Sequence, residues 1–196
     1  MMREQLADLY VESSHAAPGQ DYRGREEFLR RLAADVRRPG FDMVIAQGSK
    51  LVGCVFGFPV GRDGSWWQPF AGVLPGTLER LTASGHVFAL AELMVRPYAH
   101  DQDLGRRLQD DLLVDQDASL AVTKVDRADS ATFAVFLSRG WTEIAETGEV
   151  GGARAEAAPP RLRWLAMPLD ERTAGDPDGL EHYRHARPPE GSAAPM

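Results

Sequence analysis

The chain has 196 residues, enough for one ordinary domain and too few for two comfortable ones. Hydrophobic residues make up 43% and charged residues 26%, the mix of a globular protein. Lys and Arg number 22 against 29 for Asp and Glu, a formal net charge of −7, and so acidic a chain lacks the basic surface that general nucleic-acid binding needs to displace counterions. In chain order, Leu6, Leu9 and Tyr10 mark the apolar face of a first helix, and Phe28, Leu29, Leu32 and Val36 that of a second, stopped by Pro39-Gly40. Phe41 to Ala46 and Leu51 to Val60 read as strands joined by the turn Gln47-Gly48-Ser49-Lys50. A long connection, Gly61 to Gly85, carries Trp66, Trp67, Phe70 and Pro75, with a short helix predicted from Leu74 to Leu81. Val87 to Val95 (VFALAELMV) is an apolar run with one acid, Glu92, as in a strand buried on both faces. Leu104, Leu108, Leu112 and Leu113 space out as an amphipathic helix. Ser119 to Val125 is a buried strand, Ala131 to Leu137 a helix stopped at Gly140, and Trp141 to Ala145 and Leu162 to Met167 close the chain's regular elements. This order predicts an α/β (α+β) domain with a mixed central sheet flanked by helices.

Composition shifts near residue 170. Residues 171–196 are rich in Pro, Gly, Ala and charge, too poor in aliphatics to offset chain entropy, so they read as a disordered C-terminal tail behind a domain at 1–170. His182 and His185 lie in that tail at i, i+3 spacing and read as solvated, with a ligand pair as the competing reading. Cys54 is the single cysteine, which excludes an intrachain disulfide and a cysteine metal cluster. None of the histidines has zinc-ligand spacing, so no metal is expected. No apolar stretch reaches the roughly 18 residues of a membrane span, and the N-terminus lacks a signal peptide's apolar core. A cytoplasmic enzyme or binding domain, with no membrane or nucleic-acid partner, is the expectation.

The strand–loop–helix over residues 92–108 is where chemistry is expected. A helix N-terminus offers unpaired N–H donors and partial positive charge, enough to hold a pyrophosphate. Gly105 lets backbone approach closely, and Arg106 and Arg107 add cations. By itself the pattern also fits an ordinary crossover. The wording narrows it. ELMVRPYAHDQDLGRRLQDDLL resembles the central motif of the GNAT N-acetyltransferases, in which V-x-P leads to [QR]-x-x-G-x-[GA] and a helix. Val95 and Pro97 match, His100 takes the Gln/Arg position, Asp103 the first Gly and Gly105 the second. LAVTKVDRADSATFAVFLSRGW resembles the later strand and N-x-x-A-x-x-x-Y-x-x-x-G-[FW], with Asp129, Thr132, Phe136 and Gly140-Trp141 at those places. The likeness covers residues 2 to 169 and is nearest in wording to actinobacterial members with a degenerate acetyl-CoA loop.

The resemblance implies a GNAT fold and acetyl transfer from acetyl-CoA to an amine by direct attack. Backbone at Met94, Val95 and Arg96 would pair with the pantetheine arm. The loop His100, Asp101, Gln102, Asp103, Leu104, Gly105 and Arg106 would wrap the pyrophosphate, with Asp129 also at the coenzyme. The acceptor is a small-molecule or peptide amine, and a homodimer is a further candidate partner. Glu92 is the candidate base, since burial raises a carboxyl pKa toward a useful value; a structural carboxylate is the competing reading.

Three features depart from the family. Asp101 and Asp103 put carboxylates where glycine is usual; one such charge about 5 Å from a phosphate costs about 1–3 kcal/mol, unless Arg96, Arg106 and Arg107 offset it. Asp103 could instead cap the helix and compete for the same donors. Phe136 lacks the hydroxyl of the family's Tyr, which often protonates the leaving thiolate. The family's usual first strand is missing or very short ahead of the first helix. A catalytically weakened or inactive GNAT-fold binding or regulatory protein is therefore the alternative. Trp66, Trp67 and Phe70 read either as an aromatic wall for the acceptor, through cation–π contact, or as core or a dimer contact. Cys54 reads as a buried inert thiol, and Asp110, Asp111, Asp115 and Asp117 as a solvated helix face.

Overall fold

The computed structural model describes residues 2–13, 21–68, 70, 74–97, 103–146 and 162–169. Five α-helices are seen there: α1 (Met2–Ser13), α2 (Asp21–Asp35), α3 (Gly76–Ser84), α4 (Leu104–Leu113) and α5 (Ser130–Ser138). The strands are β1 (Asp42–Gln47), β2 (Leu51–Pro59), β3 (Val87–Val95), β4 (Leu120–Asp126), β5 (Thr142–Glu146) and β6 (Leu162–Pro168). They form one sheet in the order β1-β2-β3-β4-β6-β5. All neighbours are antiparallel except β3 and β4, whose parallel run is made by the crossover through α4. Val36, expected on the second helix's apolar face, lies past its end and is 52% exposed. The helix closes one residue earlier because the turn into β1 takes over, with Arg38 N–H bonded to Asp35. The loop at His100, Asp101 and Gln102 and the segment 171–196 lie outside the described residues.

Side-chain alternation sorts the core into layers. Leu104, Leu108, Leu112 and Leu113 of α4 pack on Val55, Phe88, Leu90, Ala121 and Val125 on one face of the sheet, joined by Phe136 and Trp141. On the other face α1 and α2 bring Leu6, Leu9, Phe28 and Leu32 onto Cys54, Phe56 and Met94. Tyr10 stacks on Phe28 at 4.5 Å between ring centroids. Beside them Trp67, Leu78, Trp164 and Phe58 form an aromatic cluster on that same side. Cys54 is fully buried there, and burial pushes its thiol up to about 12, so it is inert as a nucleophile.

Two irregularities position the site. The β2–β3 register jumps from Phe56↔Glu92 to Gly57↔Leu90, so Ala91 is an extra residue, a β-bulge. Gly57 permits it: a Cβ there would stand 2.2 Å from the Ala89 carbonyl oxygen and 2.5 Å from the Phe88 ring. The β3–β4 ladder then stops after Val87↔Leu120, Phe88↔Ala121 and Ala89↔Val122. One side-chain bond, Thr123 Oγ1 donating to the Leu90 carbonyl at 2.9 Å, follows, and beyond it the two strands part.

Candidate functional site

The bulge decides where Glu92 points. Before it, Val87 and Ala89 join the aromatic cluster, while Phe88 and Leu90 join the α4 layer. After it the parity inverts: Leu93 and Val95 lie on the α4 layer and Met94 on the α1–α2 layer. Glu92 would otherwise share the face of Phe88 and Leu90. It is turned instead toward α2, with its carboxylate 3.7 Å from the Arg31 guanidinium. Arg31 is itself held at 3.3 Å by the Tyr10 hydroxyl. Burial pushes the Glu92 carboxyl up to about 7, against the pull of Arg31 and helped by Asp35. No hydrogen bond within the described residues ties it down, and its side chain keeps 24% exposure. A carboxyl half-ionised near neutrality and open to water at one edge can accept a proton.

On the Glu92 side of the sheet lie charges that sequence spacing did not single out. Asp35 and Arg38 pair at 2.9 Å at the end of α2, and the Arg38 guanidinium sits 4.3 Å over the Phe58 ring. Lys124, on β4 just beyond the last pair with β3, places its Nζ 3.6 Å above the Trp66 ring and 4.8 Å from Trp164. Burial, with Arg38 nearby, pushes its ammonium down to about 8; Asp35 opposes the shift. The aromatic residues are thus core-forming. Trp66 meets Phe58 and Trp164 edge-on, and Trp67 and Phe70 also pack on Trp164. Trp67 Nε1 donates to the buried Thr82 hydroxyl at 3.0 Å. The cation position over Trp66 is filled by the chain's own Lys124, which corrects the expectation of a free cation–π wall for an acceptor.

On the opposite face, α4 begins where β3 diverges. Asp103 stands at the N-cap but its side chain makes no capping bond. The competing-cap expectation therefore fails: the carboxylate turns outward to Arg106 at 3.6 Å, and Arg106 also meets Asp110 at 3.7 Å. Leu104 and Gly105 are buried and Arg106 is exposed. The first intrahelical N–H is that of Arg107, to Asp103, so the N–H groups of Leu104, Gly105 and Arg106 have no partner inside the helix. Arg139, from the end of α5, closes on this turn. A Cβ on Gly105 would be 2.9 Å from its Nη2. Its Nη1 is buried with no hydrogen-bond partner among the described residues, and burial lowers its pKa. A guanidinium donor without a partner among the described residues, set beside the first-turn amides of α4, suits a diphosphate. The donor set therefore fits coenzyme A, with Leu104, Gly105, Arg106 and Arg139 as the residues that would hold its pyrophosphate.

The remaining expected residues are placed as follows. Met94 and Val95 pair with Cys54 and Gly53 of β2, and the Arg96 N–H bonds the Val52 carbonyl. Arg96 Nε donates to the Leu51 carbonyl at 2.7 Å and its guanidinium pairs with Glu12 of α1, which takes it out of any role as counter-charge to Asp103. The Asp129 carboxylate caps α5 by accepting the Thr132 N–H at 2.9 Å. Phe136 is buried edge-on against Trp141, whose Nε1 donates to Gln109 of α4 at 3.1 Å. No group of three or more His, Cys, Asp or Glu among the described residues could hold a metal ion. No described helix is long and apolar enough to cross a membrane.

No protein-family model and no curated protein matches the chain. Solved structures do. A Desulfovibrio desulfuricans protein assigned to the GNAT acetyltransferases superposes with TM-score 0.57 at 12% identity, over 86% of this chain and 93% of that one. The ribosomal-protein-S18-alanine N-acetyltransferase of Escherichia coli gives 0.52 at 15% identity, over 87% and 90%. The PaiA N-acetyltransferase of Thermoplasma acidophilum, solved with coenzyme A, gives 0.53 at 11% identity, over 85% and 92%. With its mixed six-stranded sheet flanked by helices, the chain has the GNAT acyltransferase fold.

Proposed function

We propose that the unit spanning residues 1–170 is an acetyl-CoA-dependent N-acetyltransferase acting on an amine by direct attack. The observation that carries this reading is the parting of β3 from β4 with an anion-ready turn on one face and a carboxyl of pKa about 7 on the other. Acetyl-CoA supplies an activated thioester. The first-turn amides of α4 and Arg139 hold its diphosphate, while Arg106 neutralises Asp103 beside them. The backbone of β3 beyond Leu90, outside the ladder with β4, is the strip for the pantetheine arm. Glu92 accepts the proton that the acceptor amine must lose before its lone pair can attack. His100, Asp101 and Gln102 complete the loop over the diphosphate. The acceptor amine, free or peptide-borne, approaches on the α2 side, and the reaction belongs to the cytoplasm. A second copy of the chain is a candidate partner.

Phe136 favours a second reading, a protein that binds the coenzyme without efficient turnover, because its buried ring offers no proton to a departing thiolate. Calorimetry separates these. Acetyl-CoA binding heat with acetyl transfer to a panel of amines supports the first; heat without transfer supports the second. Absence of heat at millimolar acetyl-CoA sinks both. Replacing Arg139 by Gln is expected to weaken binding about 10- to 100-fold, the value of one charge-assisted bond to phosphate.

A further inference from the structure

We propose that Lys124 is a self-acetylation site, its Nζ taking the acetyl group from acetyl-CoA. This rests on the acetyltransferase reading and adds an acceptor within the chain. Lys124 lies on β4 two residues past Val122, where the ladder with β3 ends. Its side chain lies on the Glu92 side of the sheet, over Trp66 and Trp164, away from the α4 layer. Glu92, turned by the bulge, and Lys124 stand on the same face of the sheet, and Asp35 acts electrostatically on each. No described carboxylate forms an ion pair with the Nζ.

The amine is suited to the reaction. An ammonium titrating at about 8 instead of 10.5 holds about 300-fold more neutral amine at a given pH below 8. Trp66 and Trp164 also bury their Nε1–H groups without a hydrogen-bond partner among the described residues, and an acetyl-lysine brings the carbonyl oxygen such donors lack. Composition sharpens the point. Of the 22 basic residues only Lys50 and Lys124 are lysines, and the rest are arginines, which stay protonated and do not accept acyl groups. Lys50 is exposed in the turn between β1 and β2.

In the reaction the Nζ lone pair forms a bond to the acetyl carbonyl carbon. The carbon–sulfur bond breaks, coenzyme A leaves as thiolate, and the proton lost by nitrogen passes to Glu92 or water. The products are an amide and coenzyme A. Acetylation removes the cation from the Trp66 face and leaves that ring to another occupant.

Peptide-mapping mass spectrometry after incubating the full chain with acetyl-CoA tests this, with calorimetry of the same sample. The expected result is a gain of one acetyl group at Lys124 well ahead of Lys50, slowed about 100-fold in Glu92→Gln and abolished at that position in Lys124→Arg. Acetylation of Lys50 at an equal rate reveals mere chemical reactivity and overturns the proposal. Binding heat with Lys124 unmodified overturns it and leaves the acetyltransferase reading standing. No binding heat removes both.

Discussion

At Glu92 the same physics that tunes the base sets a cost on the fold. A carboxyl raised from 4.5 to about 7 binds its proton more tightly folded than unfolded. Its contribution is therefore fully present below about pH 4.5 and is lost as pH rises through about 7, a loss of about 1–3 kcal/mol after discounting for the water that reaches it. Glu92→Gln should lack this loss. Its melting temperature is expected to fall less than that of the unaltered chain between about pH 5 and pH 8. Activity should move the other way, rising through about pH 7 in the native chain and dropping about 100-fold in the variant, with that limb gone. Parallel melting curves would remove the raised pKa, and an unchanged pH–rate profile would remove the base. Glu92 was legible as a candidate because it is the one acid in an apolar run. Its partners were not: Arg31 and Asp35 belong to α2, and only tertiary packing brings them to it.

Among the elements, β3 and α4 do most to shape the site. The bulge at Ala91 depends on Gly57 of the neighbouring strand, where any side chain collides with the Ala89 carbonyl and the Phe88 ring. Gly57→Ala is expected to cost about 1–3 kcal/mol in urea unfolding, through overpacking. It should also lower turnover more than that loss explains, because Glu92 is re-aimed toward the α4 layer. Turnover unchanged in a folded Gly57→Ala protein would show that the bulge does not orient the base. The bounds of β3 could be read from its apolar run, interrupted by Glu92 alone, but a bulge leaves no mark in the strand that bears it. Arg139 escaped sequence reading for a similar reason. Nothing near it in the chain says that α5 ends against Gly105. Lys124 sits in a recognisable strand, yet its aromatic surroundings come from β6 and from the turn at Ser65–Trp67.

For the molecule as a whole, the mixed sheet and the order of its elements followed from apolar periodicity and turn residues, since each element buries one face or both. The path of the parallel pair did not follow, because strand divergence is a property of two segments and the crossover between them. Hydrogen exchange reads that divergence. Acetyl-CoA is expected to slow exchange at amides of residues 91–95 and at the first turn of α4, and to leave the β1–β2 turn unaffected. Protection spread evenly over the sheet would count against a ligand lodged at the divergence.

The short parallel ladder has a mechanical consequence. Strands β1-β2-β3 and β4-β6-β5 are two antiparallel leaves, and among the described residues their spine is short: three residue pairs, the Thr123–Leu90 bond and the His86 carbonyl, which accepts from the Ser119 and Leu120 N–H groups. A guest threaded into the gutter above that spine acts as a surrogate strand, satisfying backbone groups the two leaves cannot offer each other. It would bind the book at the very edge where it falls open.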